Sequence, residues 1–326
     1  MGRDHVMKTT RRKFLQGTTA LAATSCGGCF TPGSAGHLAP AVILDAHTHF
    51  YDPSRPQGVP WPPKNDALLY RTVLPKNYRA LPVPQAVTGT VVVEASPWVE
   101  DNQWVLDLTA HEPFIVGFVG NLPLGTPEFA GYLQRFAAHP LFRGIRIREG
   151  SLADLLNNHA FVADLHAMAE HDLCFEVGSQ PAWVAQTDRL AHTVPNLRLI
   201  VNHAANVSVT GKAPSKAWQH LMQKLAQRPQ VFMKVSGLVE GTRCSHGDAP
   251  ATAEFYQPVL ESLWNTFGAN RLIYGSNWPV SERFAPLATV QQIVMTFFAT
   301  KGQTALDKVF WQNAQAAYKC TVPCGA

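Results

Sequence analysis

The chain has 326 residues, of which 46% are hydrophobic and 15% charged. That is enough apolar material for one large core and excludes a globally disordered protein. A formal charge of +4 is small for this length and argues against nucleic acid or an anionic membrane as the main partner. Six cysteines in so long a chain do not make a disulfide framework.

In chain order, the first feature is Thr10-Arg11-Arg12-Lys13-Phe14-Leu15, followed by a weakly apolar run through Ala23. This reads as a twin-arginine export signal, which predicts delivery of the folded protein to the periplasm. Ala23-Thr24-Ser25-Cys26 loosely resembles a lipid-attachment box, so a lipid anchor at Cys26 is an alternative end to that route. No other stretch is apolar enough to span a bilayer. Cys29, Cys320 and Cys324 could pair in an oxidising compartment, whereas Cys174 lies in an apolar run and reads as core. Residues 1–40 are therefore expected to be signal and linker, 41–320 a single domain, and 321–326 a tail.

Ala41-Val42-Ile43-Leu44 opens a strand that leads into Asp45-Ala46-His47-Thr48-His49. Side chains alternate on a strand, so His47 and His49 should face the same side. Eight prolines then crowd residues 52–84, with Tyr51, Arg55, Trp61, Tyr70 and Tyr78 in or beside the stretch. Proline stiffens a loop, so this segment is expected to wall or cover a substrate site.

Next comes a regular alternation. Strands are expected at residues 90–94, 114–119, 142–148, 173–177, 197–203, 231–236 and 271–277. Helices are expected at 102–111, 128–138, 158–170, 182–193, 215–227 and 253–267, with more helix to about Tyr318. With the first strand this makes eight strand–helix units in one domain, which fits an α/β fold of the (β/α)8 TIM-barrel type. An open doubly wound sheet would usually carry a Gly-rich phosphate turn after its first strand, and none is present.

A barrel of this type places its site at the C-terminal ends of the strands. Those ends hold His47 and His49, Glu94, Arg146 and Arg148, Glu176, Asn202 and His203, Ser236, and Asn277 followed by Trp278. His47-x-His49, Val201-Asn202-His203-Ala204, Met233-Lys234-Val235-Ser236-Gly237-Leu238 and Tyr274-Gly275-Ser276-Asn277-Trp278-Pro279-Val280 together resemble the amidohydrolase superfamily. More narrowly they resemble its lactonase branch, which includes fucono- and rhamnonolactonases and 2-pyrone-4,6-dicarboxylate lactonase. The resemblance implies hydrolysis of a small-molecule lactone or related carboxylic acid derivative. It also implies either no cofactor or one divalent ion, zinc or manganese, on His47, His49 and His203.

One position departs from the family's strand-eight pattern, Gly-Ser-Asp-Trp-Pro, in which the aspartate activates water. Here the residue is Asn277, and a neutral amide cannot accept a proton. Loss of a general base typically costs ~10²–10⁴-fold in rate. The chain is then a weakened member or binding protein, or it uses another base (Glu94, Glu176 or a neutral histidine), or it uses a metal-bound water. On this reading the catalytic set is His47, His49, His203, Asn277 and Glu94, with Arg146, Trp61, Tyr51, Glu176 and Trp278 at the substrate. Glu176 could instead be a structural partner of Arg146. A metal-dependent decarboxylase of the same superfamily is the competing reaction.

Overall fold

A computed structural model describes residues 38–244 and 246–322. The twin-arginine stretch, Cys26, Cys29 and Cys324 lie outside the described residues. Eight strands form one parallel sheet in sequential order: β1 (Leu44–Thr48), β2 (Gly89–Val93), β3 (Ile115–Gly120), β4 (Phe142–Arg146), β5 (Cys174–Val177), β6 (Arg198–Val201), β7 (Val231–Val235) and β8 (Leu272–Tyr274). The chain is a single-domain (β/α)8 barrel. Its seam runs between β1 and the residues just after β8. There Asn277 N–H donates to His47 C=O, and His49 N–H donates to Trp278 C=O, each at 2.9 Å.

The strands form because short runs such as Thr90-Val91-Val92-Val93 and Leu199-Ile200-Val201 are apolar on both faces. Their outward residues join the helices in the larger core, which includes Val92, Phe118, Phe175, Leu199 and Met233. Their inward residues form a second cluster with Leu44, Ala46, Val91, Cys174, Ile200 and Ile273. Several helices start on polar caps: Asn158 accepts from Ala160 and Phe161 N–H, and Ser215 accepts from Trp218 N–H. Helix Ala253–Phe267 lies where its periodicity predicts.

The chain end closes the barrel from below. Ala314, Ala317, Tyr318 and Cys320 belong to the inner cluster. Arg198, the first residue of β6, donates from Nε to Ala317 C=O at 2.8 Å. The proline-rich segment closes over the opposite end as a fixed wall. It is tied down by Arg55–Asp101 at 3.0 Å, Arg71–Glu282 at 2.7 Å and the pair Arg283–Asp66. Arg55 also lies over the Trp104 ring, 4.5 Å from its centroid. Among the described residues no helix is long and apolar enough to cross a membrane.

Candidate active site

The strand ends surround a cleft of about 200 Å³, lined by His49, Trp61, Arg146, Arg148, Gly178, Ser179, Gln180, Asn202, His203, Asn277 and Val280. The histidines meet as the spacing predicts. The His47 ring centroid lies 5.0 Å from that of His49 and 4.4 Å from that of His203. Two glycines permit this crowding. A Cβ at Gly275 would stand 2.9 Å from His47 Cβ, and one at Gly237 (φ 66°) would stand 2.5 Å from His203 Cβ. Residues His203 to Asn206 form a left-handed turn, with φ of 53° at His203 and 46° at Ala204. Four such non-glycine residues in succession mark local strain of the kind stored at functional sites.

Asp45 locks the first strand to the eighth. Its Oδ1 accepts from Ser276 N–H at 2.8 Å and His47 N–H at 3.1 Å, and its Oδ2 accepts from the Tyr78 hydroxyl at 2.7 Å. Burial pushes the Asp45 carboxyl up, and these hydrogen bonds oppose that push.

Beneath the histidines lies a buried polar floor. Lys234 Nζ sits 2.6 Å from Glu176 Oε1 and 2.9 Å from His47 Nδ1, and Lys234 and Glu176 are both fully buried. Glu176 also accepts from the Tyr318 hydroxyl at 2.7 Å and from Asn202 Nδ2 at 3.0 Å. Glu176 therefore pairs with Lys234 rather than Arg146. It does not reach the cleft, so neither a base role nor a substrate contact fits it.

These contacts fix the imidazole protons. Burial, then the Lys234 charge, hold His47 well below the usual histidine value, so the ring is neutral. Burial lowers Lys234, and the Glu176 carboxylate at 2.6 Å opposes that; as an ammonium Lys234 only donates, so that His47 Nδ1 accepts and Nε2 carries the hydrogen. That Nε2 is buried with no hydrogen-bond partner among the described residues. His49 has the opposite tautomer. Its Nδ1 lies 2.9 Å from Val93 C=O, which can only accept, so Nδ1 carries the hydrogen and Nε2 is left with a lone pair. Burial, then Arg146, lower His49 as well, and His203, whose Nδ1 is 3.0 Å from Ser236 Oγ, is lowered by burial and Lys234.

This donor set does not fit a divalent ion. An Nε2–H at His47 donates rather than ligates, and Asn277 brings no charge. Among the described residues no three His, Cys, Asp or Glu side chains are grouped to hold an ion. A zinc or manganese ion on His47, His49 and His203 is therefore not established.

Other expected roles change too. Glu94 is fully engaged: Oε1 takes Arg146 Nε at 2.7 Å and Arg148 Nε at 2.9 Å, and Oε2 takes Arg148 Nη2 at 3.1 Å. Both oxygens of Glu94 are thus taken by guanidinium donors. Its structural part is to hold both arginines at the cleft edge. Tyr51 lends its hydroxyl to Leu69 C=O at 2.8 Å and its ring to Trp61, so it supports the wall rather than touching substrate. Trp278 is buried, donates to Glu282 Oε1 at 2.6 Å, and packs on Tyr78 and Phe50 behind the site. Trp61 and Arg146 do line the cleft.

Reading strand ends alone misses three groups. Lys234 is a lysine inside an apolar strand, a signal visible in Met233-Lys234-Val235. Tyr318 arrives from the far end of the chain without local warning. Glu240 lies on the short helix Leu238–Gly241 after β7 and accepts from Asn277 Nδ2 at 2.8 Å. Burial pushes the Glu240 carboxyl up to about 7.

A strand-end cleft of this composition on a (β/α)8 barrel defines a hydrolase-type site, and comparison with known proteins agrees. The sequence profile described as amidohydrolase matches residues 44–320, so the chain belongs to the amidohydrolase family and is a hydrolase of that kind. An L-fucono-1,5-lactonase of Burkholderia ambifaria is 32% identical over 291 residues, covering 86% of this chain and 97% of that protein. A crystal structure of a Burkholderia multivorans amidohydrolase with bound zinc superposes with a TM-score of 0.75 at 22% identity, covering 86% of this chain and 100% of the other. A putative 2-pyrone-4,6-dicarboxylic acid hydrolase from Pseudomonas putida gives a TM-score of 0.65 at 18% identity over 87% of this chain and 98% of its own. At those identities the two structures support the fold alone.

Proposed function

We propose that the protein opens the ring ester of a sugar-acid or related carboxylated lactone by attack of water, without a metal ion. The observation that carries this reading is His49 at the cleft wall beside His203 and Asn277, with its Nδ1 on Val93 C=O and so its Nε2 lone pair free. Arg146 and Arg148 offer N–H groups to the cleft, and His49 offers a lone pair. Ester hydrolysis needs a donor for the carbonyl oxygen and an acceptor for the water proton. In this reading His203 and the arginines at the cleft edge polarise the carbonyl, His47 packs behind His203, and His49 Nε2 takes the proton. Asn277 and His49 flank the same seam, so water held by Asn277 lies beside that acceptor. Trp61 offers a flat face to the ring, and the Arg146–Arg148 pair offers donors to ring hydroxyls or a carboxylate. The decarboxylase alternative needs an ion that the donor set does not fit.

A panel of aldonolactones and carboxylated lactones, followed by proton release in a pH-stat, tests the reading. Turnover should persist within about twofold after treatment with a chelator, because metal-ion chemistry is not used. His49→Gln should lower kcat by ~10²–10⁴-fold, the usual worth of a general base. Activity lost to chelation and restored by zinc or manganese would overturn the metal-free part. Tight binding of a lactone without turnover would make the protein a binder.

The export route is proposed on the Thr10–Leu15 motif. Arg11→Lys with Arg12→Lys should leave precursor in the cytoplasm, detected by fractionation. Periplasmic delivery of that variant would remove the assignment.

A further inference from the structure

Asn277 lines the cleft but cannot take a proton. Directly behind it stands a carboxyl group that the mechanism above leaves unused. Glu240 Oε1 accepts from Asn277 Nδ2 at 2.8 Å. The other oxygen, Oε2, is buried and has no partner among the described residues. The backbone at Asn277 is left-handed (φ 59°), a conformation that asparagine tolerates better than most residues.

The charged groups packed around Glu240 are committed elsewhere. Arg243, on the following turn, donates to Asn206 Oδ1 at 2.9 Å. His203, on the neighbouring left-handed turn, is held by Ser236 at 3.0 Å. On the turn Val280–Arg283, Glu282 pairs with Arg71 and Trp278, and Arg283 pairs with Asp66. None of them makes an ion pair with Glu240, although the Arg243 charge lowers its carboxyl a little against the larger push of burial.

An amide whose N–H is drawn toward a carboxylate becomes a stronger acceptor at its oxygen, because successive hydrogen bonds polarise one another. We propose that Glu240 is a positioning residue that supplies, through Asn277, the negative charge acting on the attacking water. It fixes which end of the amide faces the cleft and makes Oδ1 the acceptor that orients the water. The water then gives its proton to His49 Nε2 as its oxygen bonds to the acyl carbon, and the carbonyl electrons move onto the carbonyl oxygen. Collapse breaks the bond to the ring oxygen, which leaves as a hydroxyl with the proton from His49. The inference rests on the lactone-hydrolase reading.

This arrangement makes the charge transposable. Asn277→Asp alone would set two carboxyl groups against each other, where they would share a proton rather than both ionise. Asn277→Asp combined with Glu240→Gln would place the carboxylate in the cleft and the amide behind it.

The test is kcat and KM for wild type, Glu240→Gln, Asn277→Asp and the double variant, on the best lactone of the panel, between pH 5 and 9. Glu240→Gln should lower kcat ~10-fold or more with KM within about threefold, as for loss of a charge aimed at the reacting water. Wild-type rate should fall as pH drops through about 7, and Glu240→Gln should lose that limb. The double variant should exceed Glu240→Gln by ~10-fold, a rescue that a merely structural role would not give. Wild-type kcat and pH profile in Glu240→Gln, or a double variant no better than that single one, would overturn the inference. If wild type opens no lactone, the functional reading fails by itself. The inference is then decided by NMR of the Asn277 side-chain amide. Its resonances should titrate near pH 7 in wild type and not in Glu240→Gln, and an amide that does not titrate overturns it.

Discussion

Glu176 and Glu240 are both carboxylates beneath the cleft, and their surroundings are opposite. Glu176 meets an ammonium, a phenol and an amide, with Lys234 and Asn202 each on a different oxygen. Glu240 has one amide on one oxygen and, among the described residues, nothing on the other. The first charge is matched inside the barrel, and what it does is hold Lys234 against His47 and so set a tautomer. The second is left unmatched, which lifts its titration toward neutrality. A matched carboxylate shapes the site and an unmatched one can respond to it, so replacing them should move stability in opposite directions.

The largest effect should come from breaking the matched side. Lys234→Met leaves Glu176 charged and alone in the interior, which should cost about 3–5 kcal/mol in urea denaturation. Adding Glu176→Leu should recover most of that loss, since an apolar pair replaces an ion pair at little cost. A loss below about 1 kcal/mol for Lys234→Met would show that the floor does not depend on the pair.

The unmatched side should respond with the other sign. Glu240 rises from an ordinary value of 4.5 to about 7 on folding. Between those values the folded protein keeps a proton that the unfolded chain has lost, so stability falls as pH rises through that window. The deficit reaches up to about 3 kcal/mol above pH 7. Glu240→Gln should therefore be more stable than wild type at pH 8, by up to that amount, with the gain absent at pH 4. A difference between the two proteins that does not grow with pH would mean that Glu240 is matched after all.

A smaller change sharpens the comparison. Tyr318→Phe removes one of three donors to Glu176 and leaves the ammonium in place. It should cost about 1.5 kcal/mol, the lower end for a hydrogen bond to a charged group. Measured melting curves that do not differ would show that Lys234 and Asn202 satisfy Glu176 by themselves.

The barrel was legible because its strands are short apolar runs separated by amphipathic helices, a pattern with few other solutions. The edges were less so. β8 ends at Tyr274 rather than Asn277, since Ser276 N–H turns to the Asp45 carboxylate instead of the ladder. His47, His49, His203, Arg146 and Asn277 converge as their strand-end positions imply. Side chains whose partners come from distant segments could not be read this way. Nothing near Glu94 says that both arginines of β4 and its loop will claim it, and nothing near Tyr318 says that it lies under the barrel. Nothing near Glu240, on the short helix Leu238–Gly241, says that it will meet Asn277; only the contact itself reveals it.

The seam of the barrel carries a further consequence. The two backbone bonds joining β1 to the end of β8 are made by His47, His49, Asn277 and Trp278, of which His49 and Asn277 line the cleft. The amide protons of His49 and Asn277 can therefore trade with deuterium only when the ring of strands parts at that line. A molecule seated between His49 and Asn277 spans the line from side to side. Occupancy of the cleft should then act as a fastener on the fold, read as slower deuteration of those two amides and as a fold that opens less often while it holds its ligand.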